Sequence, residues 1–438
     1  MRILFPAAPG YGLLLPLVPL VWAARAAGHE VLLATTAYMT KVGAESGLPV
    51  LDVFPARDIG EDLVAGAVGE QGGVPEGYWD LVRAMRPFDL FTLAMTEGTI
   101  QAGRRFDADL VVYCSDHTAG KLTAVALGIP AVEVGNRVSW SMRDTKFRAA
   151  REHDARMGIV LDNAPVVRAL RERLDLGERM PELVARIDPR APSLGGLNQE
   201  ERDGTDGVPW LPMRYVPFNG GAVLPDWSMC EPERPRICLT LGTVAPLLPG
   251  GSGLGMLIEA LGGLDADIVL ADDETDLSQF GPLPENLHPA GFVPLSGILR
   301  DCSLIVHHGG SGTTAAALHY GVPQLILPGG ADNLLCAERV VNRKVGLSMD
   351  PSTLDASMVR VMAERLLHEE SFGREAAAVR TEIATQPSPA SIIERVTTNL
   401  SRRDSLVASG IVSSPQRGMA AAMDAGIERT QAVDGKGV

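Results

Sequence analysis

Short apolar runs alternate with longer mixed stretches along most of the chain, the pattern of strands and helices taken in turn. "RILFPA" (2–7) reads as a strand, Pro16 to Ala27 as a helix stopped by Gly28, and "EVLLATT" (30–36) as the next strand. "ADLVVYC" (108–114) is another strand, followed by the helix "AGKLTAVAL" (119–127) and the strand in "GIPAVEVG" (128–135). The rhythm restarts at "PRICLTLGT" (235–243) and runs through "ADIVLA" (266–271), "CSLIVHH" (302–308) and "YGVPQLILP" (320–328). Such alternation predicts an α/β fold with parallel sheets, because strands running in one direction need a crossover between them.

One device occurs twice. "TAVALGIPAVEV" (123–134) and "AALHYGVPQLIL" (316–327) each end a helix at glycine, add a branched residue and proline, and enter an apolar strand. Glycine provides a left-handed cap and proline stops the helix from continuing. The repeat predicts two similar halves. Between them "VPFNGGAVLPDWSMCEPERP" (216–235) is rich in Pro and Gly and reads as a linker. The expected division is a first unit at 1–217, a linker at 218–234 and a second unit at 235–388. A helix at 389–402 is expected to cross back to the first unit, and 403–438 reads as a flexible, polar, small-residue tail.

Composition narrows the classes. At 438 residues the chain is too long for one ordinary core, and 46% hydrophobic with 21% charged residues is globular. A formal net charge of −15 excludes a nucleic-acid binder, which needs a basic face. The five cysteines are scattered and form no C-x-x-C, as expected of reduced thiols in a cytoplasmic protein. The opening "MRILFPAAPGYGLLLPLVPLVWAA" superficially suits a secretory signal, but Pro6, Pro9, Gly10, Gly12, Pro16 and Pro19 break the run. The segment is expected to be part of the fold, with no membrane insertion.

The chemistry concentrates in "HHGGSGTTAAALHYGVPQLILPGGADN" (307–333). A buried strand, a glycine turn and a helix start present free backbone N–H groups and the positive helix end, which together hold phosphate. His308 adds an imidazole donor and Thr313, expected to open the helix, a hydroxyl. The bland alternative is a tight turn whose glycines serve packing alone. Neither half carries G-x-x-x-x-G-K-[ST], so an ATP-type loop is not indicated. No His, Cys or Asp spacing suggests a metal site.

"HHGGSGTT…GVPQLILP…DN…AERV" resembles the nucleotide-sugar motif of GT-B glycosyltransferases, in particular bacterial enzymes that decorate polyketide antibiotics with deoxysugars. "RPRICLTLGT", "GFVPL" (291–295), "RYVPFNGGAVLPDW" (214–227) and the opening "MRILFPAAPGYG" are similar to the same family, over roughly residues 1 to 400. The resemblance implies two Rossmann-like domains facing across a cleft. It implies that His308, Thr313, Thr243 and the Gly310, Ser311, Gly312 turn contact the diphosphate. Phe292 would stack on the base, Val293 would offer its backbone to the base edge, and Asp332 with Asn333 would bind sugar hydroxyls. Phe292 also suits ordinary core and Asp332 a helix N-cap. Sugar-binding members commonly have Asp followed by Gln, where this chain has Asn333. Relatives using UDP often carry a glutamate near Ala316, so alanine there favours dTDP.

The acceptor half departs further. O-glycosylating members place a histidine in a G-H-x-x-P turn and an aspartate at a later strand end, a general base with its orienter. Here "YGLLLP" (11–16) has Leu13 and "LVVYCSDHTAG" (110–120) has Cys114 at those positions. Members that join deoxysugars to aromatic polyketides through carbon resemble this chain in lacking the dyad, because a ring carbon ortho or para to a phenolate is itself nucleophilic. Asp116 and His117 are then the candidate catalytic residues, and Tyr11, Leu13, Glu133 and Trp140 the candidate acceptor contacts. Trp140 lies in "GNRVSWSMRDTKF" (135–147), which also carries Arg137 and Arg143 and reads equally as a mobile surface loop.

The expected function is inverting, metal-independent transfer of a deoxysugar from a dTDP-sugar to an aromatic polyketide carbon, with no cofactor. O-glycosylation using Asp116 or His117 as base is the alternative enzyme reading. An inactive auxiliary that binds nucleotide or a partner transferase is the non-enzyme reading. The expected partners are these two small molecules, with a homodimer allowed.

Overall fold

The computed structural model describes residues 1–56, 89–135, 137–145, 165–204, 206–242, 252–272, 275–329 and 331–408, together with Ile59, Trp79 and Phe147 as single positions. It contains two sheets. The first is built from β1 (Arg2–Pro6), β2 (Glu30–Thr35), β3 (Val50–Asp52), β4 (Leu110–Cys114), β5 (Ala131–Val134), β6 (Leu183–Asp188), β7 (Glu201–Arg202) and β8 (Pro209–Pro212). Its order is β3-β2-β1-β4-β5-β6-β8-β7, parallel except for the β7–β8 pair. The second comprises β9 (Arg236–Thr240), β10 (Asp267–Leu270), β11 (Leu287–Pro289), β12 (Leu304–His307), β13 (Gln324–Ile326) and β14 (Gly346–Ser348). Its order is β11-β10-β9-β12-β13-β14, parallel throughout.

Side-chain alternation covers both faces of each sheet, as parallel sheets require. In β1, Ile3 and Phe5 enter one buried cluster and Leu4 the other. The repeated helix-to-strand device folds as its residues dictate. Gly128 and Gly321 end their helices in the left-handed region, at φ 65° and 73°.

Two expected boundaries shift. The helix foreseen from Pro16 to Ala27 is a short helix Tyr11–Leu14, a 3-10 turn Leu15–Leu17 and a helix Val18–Ala26. Pro16 and Pro19 lack the N–H a continuous helix needs, and each sits at the start of a new segment. The helix foreseen from Thr313 begins two residues earlier, at Ser311. Gly310 is its N-cap, with no side-chain cap to mark it in the sequence.

The chain passes between the sheets twice. After the second sheet the helix Pro389–Ala408 packs against the helix Val18–Ala26 of the first unit. Its Ile392, Ile393, Val396 and Leu400 form one stripe in the core beneath the first sheet. Each such side chain stabilises by roughly 1.5–3 kcal/mol when fully buried. At the two crossings the backbones meet, with Arg214 N–H donating to Pro387 O at 2.7 Å. Residues 409–438 lie outside the described ones. Among the described residues no helix is long and apolar enough to cross a membrane.

Candidate active site

Among the parallel strands of each sheet the order reverses once, between β1 and β4 and between β9 and β12. Open parallel sheets bind ligands at that reversal, outside the carboxyl ends of the two strands. His308 and the Gly310–Thr313 turn fall at the second of these points, and Leu13, Cys114, Asp116 and His117 at the first.

At the second reversal, His307 ends β12 and is fully buried. Its Nε2 meets Gln324 Oε1 at 2.9 Å and its Nδ1 accepts from Gly309 N–H at 3.1 Å. That pairing sets the tautomer, with the proton on Nε2. Burial, and next the neighbouring His308, push the imidazole down to about 3. His307 is thus a neutral strut beneath the turn. Gly309 follows at φ 88°, and a Cβ there would stand 2.8 Å from Ile326 Cγ2 and 3.1 Å from Asn333 O. Only glycine permits both that backbone and that approach.

The His308 ring lies in a slot made by two further glycines. A Cβ on Gly310 would sit 2.5 Å from its Nε2, and one on Gly242, beyond β9, would overlap the ring. Gly310 then opens the helix Ser311–Tyr320, whose Ser311, Gly312 and Thr313 N–H groups begin the first turn without intrahelical acceptors. An imidazole and three N–H donors thus gather at a positive helix end, a fit for diphosphate oxygens.

The Ser311 hydroxyl is turned elsewhere. It accepts Val138 N–H of the first unit at 2.8 Å, so what Ser311 offers an anion is its backbone. Phe292 is 41% exposed, enough for a stacking platform, and its ring edge lies against Gly220 of the linker. Val293 is buried in one cluster with Ala316. Asp332 and Asn333 stand in the first turn of the helix Ala331–Asn342, with Asn333 against Gly309. The Asp332 side chain and the whole of Thr243 lie outside the described residues.

At the first reversal, the two positions that depart from the family pattern touch. The Cys114 thiol donates to Leu13 O at 3.3 Å, and both residues are buried. Burial, and next Asp116, push that thiol well above its ordinary value. The Asp116 carboxylate is enclosed and ion-paired with Arg137 Nε, and Ser115 Oγ also approaches it at 3.4 Å. His117 is buried, its Nε2 has no hydrogen-bond partner among the described residues, and burial pushes the ring down to about 4. The cation of Arg137 is therefore the partly exposed charge at this strand end.

The remaining acceptor candidates scatter. Glu133 pairs in register with Tyr113, on the face of the sheet opposite Cys114. It accepts from Tyr113 Oη at 3.4 Å and lies 3.9 Å from Arg186 Nε. Trp140 is 7% exposed, so it is packed rather than displayed. Tyr11, first residue of the short helix Tyr11–Leu14 after β1, lies against Tyr38 beyond β2, ring centroids 5.6 Å apart. Tyr38 is 44% exposed and had no motif to announce it. Such a pair suits a flat acceptor.

A glycine turn and helix start suited to a diphosphate at one reversal, with an aromatic pair near the other, fit a glycosyltransferase of the GT-B class. Residues 22–242 match the N-terminal domain and residues 255–398 the C-terminal domain of the family described as erythromycin biosynthesis protein CIII-like. The elloramycin glycosyltransferase of Streptomyces olivaceus is 34% identical over 411 residues, 91% of this chain and 97% of that one. The solved glycosyltransferase SnogD from Streptomyces nogalater superposes with a TM-score of 0.71 at 30% identity, covering 91% of this chain and 99% of its own. A Streptomyces sp. SF2575 glycosyltransferase solved with thymidine diphosphate gives 0.69 at 30% identity over the same shares. The chain belongs to the erythromycin biosynthesis protein CIII-like family, and so to the GT-B deoxysugar transferases of antibiotic biosynthesis.

Proposed function

We propose that this enzyme transfers a deoxysugar from a dTDP-sugar to a ring carbon of a phenolic polyketide, with inversion and without a metal ion. The observation that carries the reading is the Leu13–Cys114 contact, an apolar side chain and a raised thiol where an O-transferring relative would hold its base and orienter. The ring carbon attacks the anomeric carbon from the face opposite the diphosphate. The bond to the β-phosphate oxygen breaks and its electron pair stays with dTDP. The ring C–H proton then passes to water, restoring the aromatic phenolate, so no base is needed during attack.

What attack does need is a phenolate. Asp116 and His117 were the expected acid–base groups, but the carboxylate is taken up by Arg137 and the imidazole is enclosed. We therefore assign Arg137 to stabilising the phenolate, since a nearby cation favours the charged form. Asp116 holds the guanidinium, and His117 packs the turn. His308 and the Ser311–Thr313 N–H groups take the charge that develops on dTDP.

The test is incubation with a panel of dTDP-deoxysugars and fused-ring phenols, followed by mass analysis and acid hydrolysis. A product whose sugar survives acid supports a carbon–carbon bond. Release of the sugar by acid overturns that reading in favour of O-transfer. Turnover persists in excess EDTA; a strict need for Mg²⁺ or Mn²⁺ overturns the backbone-and-helix account of the diphosphate.

A further inference from the structure

Loop 137–145, which begins at Arg137, is gripped by the second unit. Val138 N–H donates to Ser311 Oγ at 2.8 Å, and Ser139 O accepts from Arg339 Nε at 2.7 Å. Arg339 Nη1 also donates to Leu194 O at 2.9 Å, while its Nη2 pairs with Asp144. The other Asp144 oxygen accepts from Arg190 Nη1 at 2.7 Å, and Arg190 forks onto Asp188 at 2.8 and 3.0 Å. Arg143 closes the set, 3.4 Å from Asp188 and 2.7 Å from Glu201.

Adhesion alone does not call for these ions. Val138, Ala191, Leu194 and Tyr215 already share a buried apolar cluster with Ala315, Leu318 and Ile383 of the second unit. Burying an ion costs several kcal/mol even after relaxation, and apolar side chains of equal volume stabilise as well or better. A guanidinium fork supplies instead a fixed direction toward several acceptors at once. Here it sets the place of one loop against one helix pair.

We infer that Arg339 is a positioning residue that registers loop 137–145, and with it Arg137, to the first turn of the diphosphate helix. The inference rests on the reading of that turn as the dTDP site. Diphosphate on the Ser311–Thr313 N–H groups orders the turn, and the Ser311 hydroxyl on the same turn carries the order to Val138. Arg339, which holds Ser139 O and Asp144 of the same loop, keeps Val138 within reach of that hydroxyl. Donor binding thereby sets the acceptor side before the acceptor arrives.

Amide hydrogen exchange on the full chain, with dTDP alone as the probe, tests this. In the wild type dTDP slows exchange in peptides covering 311–314 and 137–145. In Arg339→Lys the slowing at 311–314 remains and that at 137–145 falls at least fivefold, while calorimetry gives a dTDP affinity within about twofold of wild type. Asp144→Asn, made from the other side of the contact, gives the same result and carries the test if Arg339→Lys does not fold. A merely structural arginine would raise exchange in 137–145 equally with and without dTDP, leaving the difference intact. An intact difference in the variants, or no response of 137–145 in the wild type, overturns the inference. Absence of slowing at 311–314 in the wild type removes the dTDP reading itself, and the inference falls with it.

Discussion

The thiol of Cys114 and the carbonyl of Leu13 are hydrogen-bonded at 3.3 Å across the reversal of the first sheet. Two positions 101 residues apart are therefore one feature, and they change meaning only together. Leu13→His alone leaves the new imidazole without an orienting carboxylate and costs buried apolar packing, of order 2–5 kcal/mol for a large loss. Leu13→His with Cys114→Asp is the fair rebuilding of a base. The double variant is expected to lose native turnover and to gain, if anything, transfer to hydroxyl acceptors. A several-fold rise in the native rate would show that general-base help was limiting.

The His308 slot gives a sharper donor-site test than removing the ring. Gly310→Ala places a methyl 2.5 Å from His308 Nε2, so the imidazole must move. dTDP affinity should fall about tenfold or more, which is ~1.4 kcal/mol. His308→Ala and Thr313→Ala each remove a hydrogen bond to a charged group, worth ~1.5–3 kcal/mol. Calorimetry checks all three, and unchanged affinity throughout removes the phosphate assignment.

Arg137→Gln keeps a donor at the strand end and removes the charge. With a phenolic acceptor, the rise of kcat/KM with pH should move to higher pH by about one unit, because the phenol loses its cation. An unmoved profile would detach Arg137 from the acceptor.

Two buried histidines predict an acid limb in stability. His307 and His117 sit at about 3 and about 4 when folded, pushed down first by burial. Unfolding returns them to about 6.5, so between these values the unfolded chain binds more protons. Their contribution is complete above about pH 6.5 and is lost as pH falls toward 4 and then 3. The ceiling is about 2.7 kcal/mol per pH unit for two groups. His117→Phe, at a ring whose Nε2 has no partner among the described residues, should flatten the decline between pH 7 and pH 5 in urea unfolding. Equal slopes in the two proteins would contradict it.

The parts of this fold that obey local rules were legible in the sequence. Gly128 and Gly321 announce helix ends because a left-handed cap is a one-residue requirement. The cradle around His308 was readable as a strand, a glycine turn and a helix start. β6 was not readable, since "LVARID" buries Arg186 and Asp188, which no apolar pattern reveals. Those charges are satisfied from elsewhere, Asp188 by Arg190 and Arg143, Arg186 by Asp203, Asp206 and Glu133. Glu133 was drawn toward the acceptor for the same reason: its cation lies on another strand. Ser311 could be placed on the diphosphate turn, but its partner Val138 stands 173 residues away. Arg339 and Asp144, 195 residues apart, carry no local signal at all.

The return of the helix Pro389–Ala408 to the first unit changes what can be exchanged between such enzymes. A chimaera joined at a single point in the linker would pair one parent's first core with the other's closing helix, mismatching Ile392, Ile393, Val396 and Leu400. The second unit is an insertion with two seams, and the seams lie side by side where Arg214 N–H meets Pro387 O. Cutting at both is expected to move the second unit as a closed cassette, and leaves the recipient's first core complete from its first strand to its last helix.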